Sequence, residues 1–299
     1  MANLKEVRIR IASTSSTQQI TKAMKLVSAT KLRKAQGEII QMRPYASKIK
    51  AILGSLGENV NSDVLTPYIE KRKVNHLSLV IVTSDRGLCG GFNANVVKLA
   101  VSLLKEKYTE QVDAGKVKFI CIGKKGYDFF SKSKYNTSPD SVTLSQKFNS
   151  ESVFEMGADI ITSFLKKDTD EVVIVYNQFK NAATQILTAE QMLPVDVKEL
   201  QAGASAAAKK SDVKKDYIFE PDMNGILSTL VPMTLKTQLF KAALDSQAAE
   251  HGARMVAMDK ATDNAGELLK SLRLQYNQAR QAAITREISE IVGGAAALA

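Results

Sequence analysis

The chain has 299 residues, 44% of them hydrophobic and 24% charged, with a net charge of +10. These proportions fit a folded globular chain, and no run of about 18 apolar residues exists to form a membrane-spanning helix. The two cysteines, Cys89 and Cys121, make no disulfide framework.

The N-terminus lacks the apolar core of a signal peptide, and Glu6 with a helical pattern from Leu4 argues against a mitochondrial presequence. The expectation is a mature N-terminus on an intracellular protein. No proline occurs before Pro44, and apolar residues fall at Leu4, Val7 and Ile11, at Ile20, Met24 and Val27, and at Leu32, Ala35, Ile39 and Met42. These steps of three and four predict a coiled-coil helix, with one register shift at Leu32 and a weak stretch at Ser13–Thr17. Pro44 is expected to bend or break it, with Lys48–Leu56 continuing it and Asn59–Pro67 forming a loop.

The period then changes. Leu77–Thr83, Val117–Ile122, Val172–Tyr176 and Ala183–Met192 read as strands. Helical patterns at Asn93–Tyr108, about Lys125–Ser131 and Ser152–Leu165 fall among them. The alternation predicts a mostly parallel sheet in an α/β domain. Gln201–Lys215 is small, polar and low in complexity, and reads as a loop. From Met223 the helical period returns, with no proline after Pro232. One seam runs through Leu235, Leu239, Ala242, Ala249, Ala253 and Val256; a second, after a shift, runs through Ala261, Ala265, Leu268, Leu272 and Ala279. Its obvious partner is the N-terminal helix, giving an antiparallel intramolecular coiled coil. Ile284, Ile288, Ile291 and Val292 form an apolar tip suited to a protein socket. The segmentation is therefore 1–58 for the first helix, 70–200 for the α/β domain, 201–222 for a connecting segment and 223–299 for the last helix.

Charge is uneven along the chain. Residues 1–50 hold eleven Lys or Arg against Glu6 and Glu38, whereas residues 250–299 are balanced at six of each sign. A basic helix suits nucleic acid, an anionic surface or an acidic protein partner. No aromatic residue interleaves the basic stretch before Tyr45, and no zinc-finger or RNA-recognition signature is present. The segment Thr83-Ser-Asp-Arg-Gly-Leu-Cys-Gly-Gly-Phe-Asn93 follows a strand and opens a helix, where nucleotide-binding folds place phosphate loops. It matches neither glycine-rich phosphate motif, and a tight βα turn needing glycine is the favoured reading. His76 and His251 have no spacing that ties them to Cys89 as a base or to a metal site.

Four segments together resemble one family, the gamma subunit of F-type ATP synthases of bacterial type. They are Ile20-Thr-Lys-Ala-Met-Lys-Leu-Val-Ser-Ala-Thr-Lys-Leu32, Ser84-Asp-Arg-Gly-Leu-Cys-Gly-Gly-Phe-Asn93, Ala253-Arg-Met-Val-Ala-Met-Asp-Lys-Ala-Thr-Asp-Asn264 and Tyr276-Asn-Gln-Ala-Arg-Gln-Ala-Ala-Ile-Thr-Arg-Glu-Ile288. The resemblance runs end to end. It implies an antiparallel two-helix coiled coil from both termini with a Rossmann-like α/β domain between them that binds no nucleotide and carries no cofactor.

It also implies a central rotor shaft. Such a shaft couples proton-driven rotation of the membrane c-ring to ATP synthesis or hydrolysis in an alpha–beta ring, with no catalytic residue of its own. Implied partners are the alpha, beta and epsilon subunits and the c-ring, with no nucleic acid. The implied location is the cytoplasmic face of the bacterial plasma membrane, as a peripheral subunit. Met24, Arg254, Arg280 and Gln281, with Thr285 and Glu287 nearby, match residues that engage the beta subunit, and Cys89 matches a cysteine on the face toward it. Tyr217 and Glu220 match the foot that meets the c-ring and epsilon. Lys25-Leu26 departs from the family's usual acidic residue and methionine, and Gln201–Lys215 lacks the cysteine pair of the redox-regulated plastid form. A nucleotide-binding α/β enzyme and a basic nucleic-acid-binding protein stand as the alternatives.

Overall fold

The computed structural model describes residues 4–56, 64–133, 135–139, 142, 149–196, 220 and 222–298. Tyr217 and the Gln201–Lys215 segment lie outside them. The chain forms two compact units, Met1–Ala29 with Arg254–Ala299, and Thr30–Ala253.

In the second unit five strands form one sheet: β1 (Leu77–Val82), β2 (Val117–Ile122), β3 (Asn136–Ser138), β4 (Glu171–Phe179) and β5 (Gln185–Leu193). Their order is β3-β2-β1-β4-β5; the first four are parallel and β5 runs antiparallel to β4. Helices α3 (Phe92–Lys107), α4 (Thr109–Asp113), α5 (Lys124–Lys132) and α6 (Ser150–Leu165) connect them. The apolar strands are buried on both faces, which is why they read as continuous runs and not as alternation. Leu77, Leu79 and Ile81 of β1 pack with Val96, Ala100 and Leu104 of α3 and Phe130 of α5. Val80 and Val82 point the other way, toward Val153, Ile160 and Phe164 of α6. Phe119 and Phe130 stack at 4.5 Å between centroids.

Two long helices complete the chain: α1 (Leu4–Leu56) and α7 (Met223–Leu298). Part of α7 joins the second face of the sheet through Leu227, Val231, Leu235, Leu239 and Ala242. Between these and the strands, α2 (Thr66–Ile69) takes Pro67 into its first turn, where a missing N–H is harmless. Thr66 and Pro67 are therefore helical, while residues 59–63 of the expected loop lie outside the described set.

Pro44 does not break α1. It stands on the exposed side beside Ile40, which is 65% exposed, so the carbonyl that loses its helical donor is open to water. The register shift expected at Leu32 is absent as well. One continuous row of buried or half-buried residues runs along α1 through Leu4, Val7, Ile11, Thr14, Gln18, Thr21, Lys25, Ser28, Leu32, Ala35, Ile39, Met42, Ala46, Ile49 and Leu53, flanked by half-buried neighbours such as Ser15, Met24 and Gln36. Every step is three or four, alternating without interruption. The seam simply turns polar between Thr14 and Ser28, and Ile20 and Val27, expected on it, are 57% and 56% exposed. On α7 the second expected seam holds at Ala265, Leu272 and Ala279 and is one residue out at Leu268. Met258, Ala265, Leu269 and Leu272 are buried, with Thr262, Tyr276 and Ala279 half-buried in the same 4-3 rhythm. Leu268, expected on the seam, is 51% exposed, and Leu269 takes its place.

Candidate functional site

Three places in the chain bear on function: the turn after β1, the polar part of the coiled coil, and the end of α7.

The turn after β1 lies where strand order reverses between β1 and β4, the position at which open α/β sheets place nucleotides. Here the turn is closed on itself. Ser84 N donates to Asn93 Oδ1 (3.0 Å) and Asn93 Nδ2 donates back to Ser84 Oγ (2.7 Å). Asp85 Oδ1 accepts from Lys124 N at the start of α5 (3.1 Å). Thr83 Oγ1 accepts from Gly126 N (2.9 Å). Gly123 has φ +101°, and a Cβ there would sit 2.1 Å from the Thr83 carbonyl oxygen. The crevice itself is filled from within the unit, because Cys89 and Phe92 pack against Ala249 of α7, with Phe179 and Ala253 beside them. These hydrogen bonds explain the Ser-Asp-Arg-Gly-Leu-Cys-Gly-Gly-Phe-Asn pattern as loop architecture.

Cys89 is 2% exposed, and its sulfur accepts from Asn93 Nδ2 at 3.3 Å. The outward apolar side chain of the loop is Leu88, 64% exposed and held at φ +64°, with Arg86 exposed beside it. Periodicity gave no hint of Leu88; the glycines around it are the one sequence signal of a turn that aims a residue outward. Cys121 lies fully inside β2, and burial pushes its thiol up to about 12. The thiolate is the reactive form, so Cys121 is expected to escape iodoacetamide in the native protein at pH 8 and to react in urea. Mass spectrometry of the intact and denatured chain checks this, and rapid native labelling of Cys121 would contradict it.

In the first unit the two helices run antiparallel. Arg8 Nη2 donates to Tyr276 Oη (3.0 Å), Thr262 Oγ1 donates to Thr21 Oγ1 (2.8 Å), and Lys25 Nζ binds Asp259 Oδ1 (2.5 Å). Residue numbers rise on one helix as they fall on the other. Gln18 Nε2 reaches the Thr262 carbonyl at 3.5 Å, beside Gly266, where a Cβ would come within 3.0 Å of that nitrogen. This polar contact zone holds the unbroken seam together where apolar residues are missing. The Lys25-Leu26 pair thereby finds its place: Lys25 turns to Asp259 and Leu26 is 62% exposed. Met24 is half-buried, and its carbonyl accepts from Ser28 Oγ (2.7 Å). Arg254 is 9% exposed within the chain.

Farther along α7, Arg280, Gln281, Thr285 and Glu287 are exposed. Thr285 Oγ1 donates to the Gln281 carbonyl (2.9 Å). Hydrogen bonding and charge from Arg8, with a lesser push from Arg280, hold the Tyr276 phenol below its ordinary range. Ile284, Ile288, Ile291 and Val292 are 43–70% exposed. Glu220 is exposed too. Among the described residues, no His/Cys/Asp/Glu group is arranged to hold a metal ion. No helix among them is long and apolar enough to cross a membrane.

A Rossmann-like sheet whose nucleotide crevice is plugged by its own helix, together with an antiparallel pair of long helices, defines a coiled-coil protein with an attached α/β domain. Comparison with known proteins makes the class specific. The ATP synthase family profile matches residues 3–298. The chain is 49% identical over 298 residues to the ATP synthase gamma chain of Cytophaga hutchinsonii, covering 100% of this chain and 99% of that one. It is also 49% identical over 303 residues to the gamma chain of Flavobacterium johnsoniae, with the same coverage. This chain belongs to the ATP synthase gamma chain family, whose members are non-catalytic subunits. Among solved structures, a chain of the Euglena gracilis mitochondrial ATP synthase (OSCP/F1/c-ring) matches with a TM-score of 0.62 at 20% identity, covering 99% of this chain and 94% of that one. At that identity the likeness is one of fold.

Proposed function

We propose that this chain is the central rotor shaft of an F-type ATP synthase, coupling proton-driven c-ring rotation to ATP synthesis or hydrolysis in an alpha–beta ring. The observation that carries it is the full-length likeness to gamma chains. The helix pairing supports it mechanically. A seam that is polar over Thr14–Ser28 and apolar beyond gives the paired helices unlike surfaces along their length. A shaft must present different faces to successive partners. The outward side chains Ile9, Ile20, Leu26 and Val27 and the apolar end of α7 supply contact surface. The basic excess of residues 1–50 attracts acidic loops on a surrounding ring.

In this reading 1–58 and 223–299 are the shaft, 70–200 is the attached α/β domain, and 201–222 is the foot. Arg280, Gln281, Thr285 and Glu287 meet the beta subunit directly. Met24 does so from a half-buried position, and Arg254 acts chiefly by shaping the coiled coil around it. At the β1 turn Leu88 makes the contact, with Cys89 positioning it from below. Tyr217 and Glu220 belong to the foot that meets the c-ring and epsilon. The protein is then peripheral, on the cytoplasmic face of the bacterial membrane.

Co-expression with alpha and beta subunits tests the reading. A stable complex with ATPase activity is expected, and the isolated chain should have neither ATPase activity nor saturable nucleotide binding. Arg280→Ala and Gln281→Ala are expected to lower turnover several-fold with unchanged thermal unfolding of the chain. Failure to recover alpha and beta would reject the shaft; full turnover in both variants would reject only the residue roles.

A further inference from the structure

Within the Thr30–Ala253 unit, α1, α2, β5 and α7 line a partly open cavity of about 340 Å³. That is the size of a small-molecule site, far larger than one water needs. Its wall is apolar, formed in part by Ile39, Ile49, Leu53, Leu65, Leu235 and Leu244. Four charged groups also line it: Arg43, Glu190, Lys241 and Asp245. Three of them have water or a partner. Arg43 is exposed and Lys241 half-exposed. Glu190 accepts from Tyr176 Oη (3.1 Å) and from Gln238 Nε2 (2.7 Å).

Asp245 differs from these three. It is 4% exposed, and among the described residues it makes no hydrogen bond and no ion pair. Arg43, Lys241 and Glu190 act on it only through their charge, and burial raises its carboxyl above the ordinary range despite the two cations. A largely buried carboxyl with unused acceptor capacity on a cavity wall offers a place for a donor. The space beside it is lined mainly by hydrocarbon.

We infer that this cavity binds a small amphipathic molecule, its apolar body against Ile39, Ile49, Leu53 and Leu235 and its hydrogen-bond-donating head on Asp245. A hydroxyl or an ammonium meets this requirement. A carboxylate head does not meet it, because an ionised carboxylate has no proton to donate to Asp245 and is repelled by it. The site is walled in part by the two shaft helices but lies away from the α7 end and the β1 turn, where the beta contacts are proposed, so binding there is read separately from coupling.

The test is titration of the full chain with phenylbutanol, phenylbutylamine and phenylbutyrate, followed by calorimetry and ligand-observed NMR. The alcohol and the amine are expected to bind saturably, about tenfold or more tighter than the acid. Asp245→Asn is expected to erase that preference, because an amide donates as well as accepts. Ile49→Trp, which fills the apolar end, is expected to abolish binding of all three, with circular dichroism confirming the fold. Absence of saturable binding, a preference that survives Asp245→Asn, or undiminished binding to folded Ile49→Trp would each overturn the inference.

Discussion

Gly123→Ala is expected to destabilise the α/β unit by about 3–5 kcal/mol, near the upper end of what a single substitution does. Two effects combine. At φ +101° an L residue is strained by about 1–3 kcal/mol wherever it sits. In addition, the new Cβ would lie 2.1 Å from the Thr83 carbonyl oxygen and 2.7 Å from its carbon. That carbonyl cannot swing aside. Thr83 N donates to the Ile122 carbonyl (2.8 Å), and Thr83 Oγ1 accepts from Gly126 N, so movement would break the β1–β2 join and the first turn of α5 together. Gly115→Ala is the internal control, with φ +65° and nothing within 4 Å of its Cβ. It should cost about 1 kcal/mol, the strain alone. Urea unfolding followed by circular dichroism separates the two. Equal losses would mean that the contact with Thr83 relaxes at no expense.

What the sequence reveals and conceals has a physical pattern. Strands β1, β2 and β4 are legible because both faces are buried, so apolar residues accumulate without gaps. Strand β3 is missed because Asn136–Ser138 is short, polar and at the sheet edge, where pairing with β2 needs no apolar signature. The β1 turn is recognisable as a turn, but not as a sealed one. Its plug, Ala249, lies more than 150 residues away, and alanine looks the same in a close-packed crevice as in a helix–helix seam. Arg254, in one resembling segment, and Arg280 and Gln281, in another, match the family alike, yet the first is buried and the others exposed, a distinction set by tertiary contact.

The seam of α1 shows the main limit. Counting back from Leu32 by fours and threes reaches Ser28, Lys25, Thr21, Gln18 and Thr14 before apolar residues resume at Ile11. A hydrophobicity count rejects those positions and adopts Ile20, Met24 and Val27, one residue out of phase. The true phase holds because α7 answers in kind, with Thr262 opposite Thr21 and Asp259 opposite Lys25. Polar residues at seam positions specify register at some loss of stability. Here they leave apolar side chains facing outward, which is an error for a free-standing coiled coil and a resource for one enclosed by partners.

The same phase difference on α7 gives the second large effect. Leu269→Ala is expected to destabilise the coiled-coil unit by about 2–4 kcal/mol, the range for a buried leucine whose cavity collapses only in part. Leu268→Ala should change it by no more than about 0.5 kcal/mol. The two residues are neighbours on one helix, and the substitution is chemically identical. Helix propensity therefore cancels between them, and the difference measures burial: 6% exposure for Leu269 against 51% for Leu268. Thermal or urea unfolding of the two variants decides the phase, and a larger loss at Leu268 would put Leu268 back on the seam. In the assembled complex the order should reverse for turnover. Leu268 lies on the surface left for partners, so its truncation is expected to slow rotation while the chain itself stays folded. Leu269→Ala, if the complex assembles at all, leaves the outer surface intact. A shaft with its register set by polar contacts and its apolar residues turned outward separates the positions that hold it together from those that transmit force, and adjacent leucines fall on opposite sides of that division.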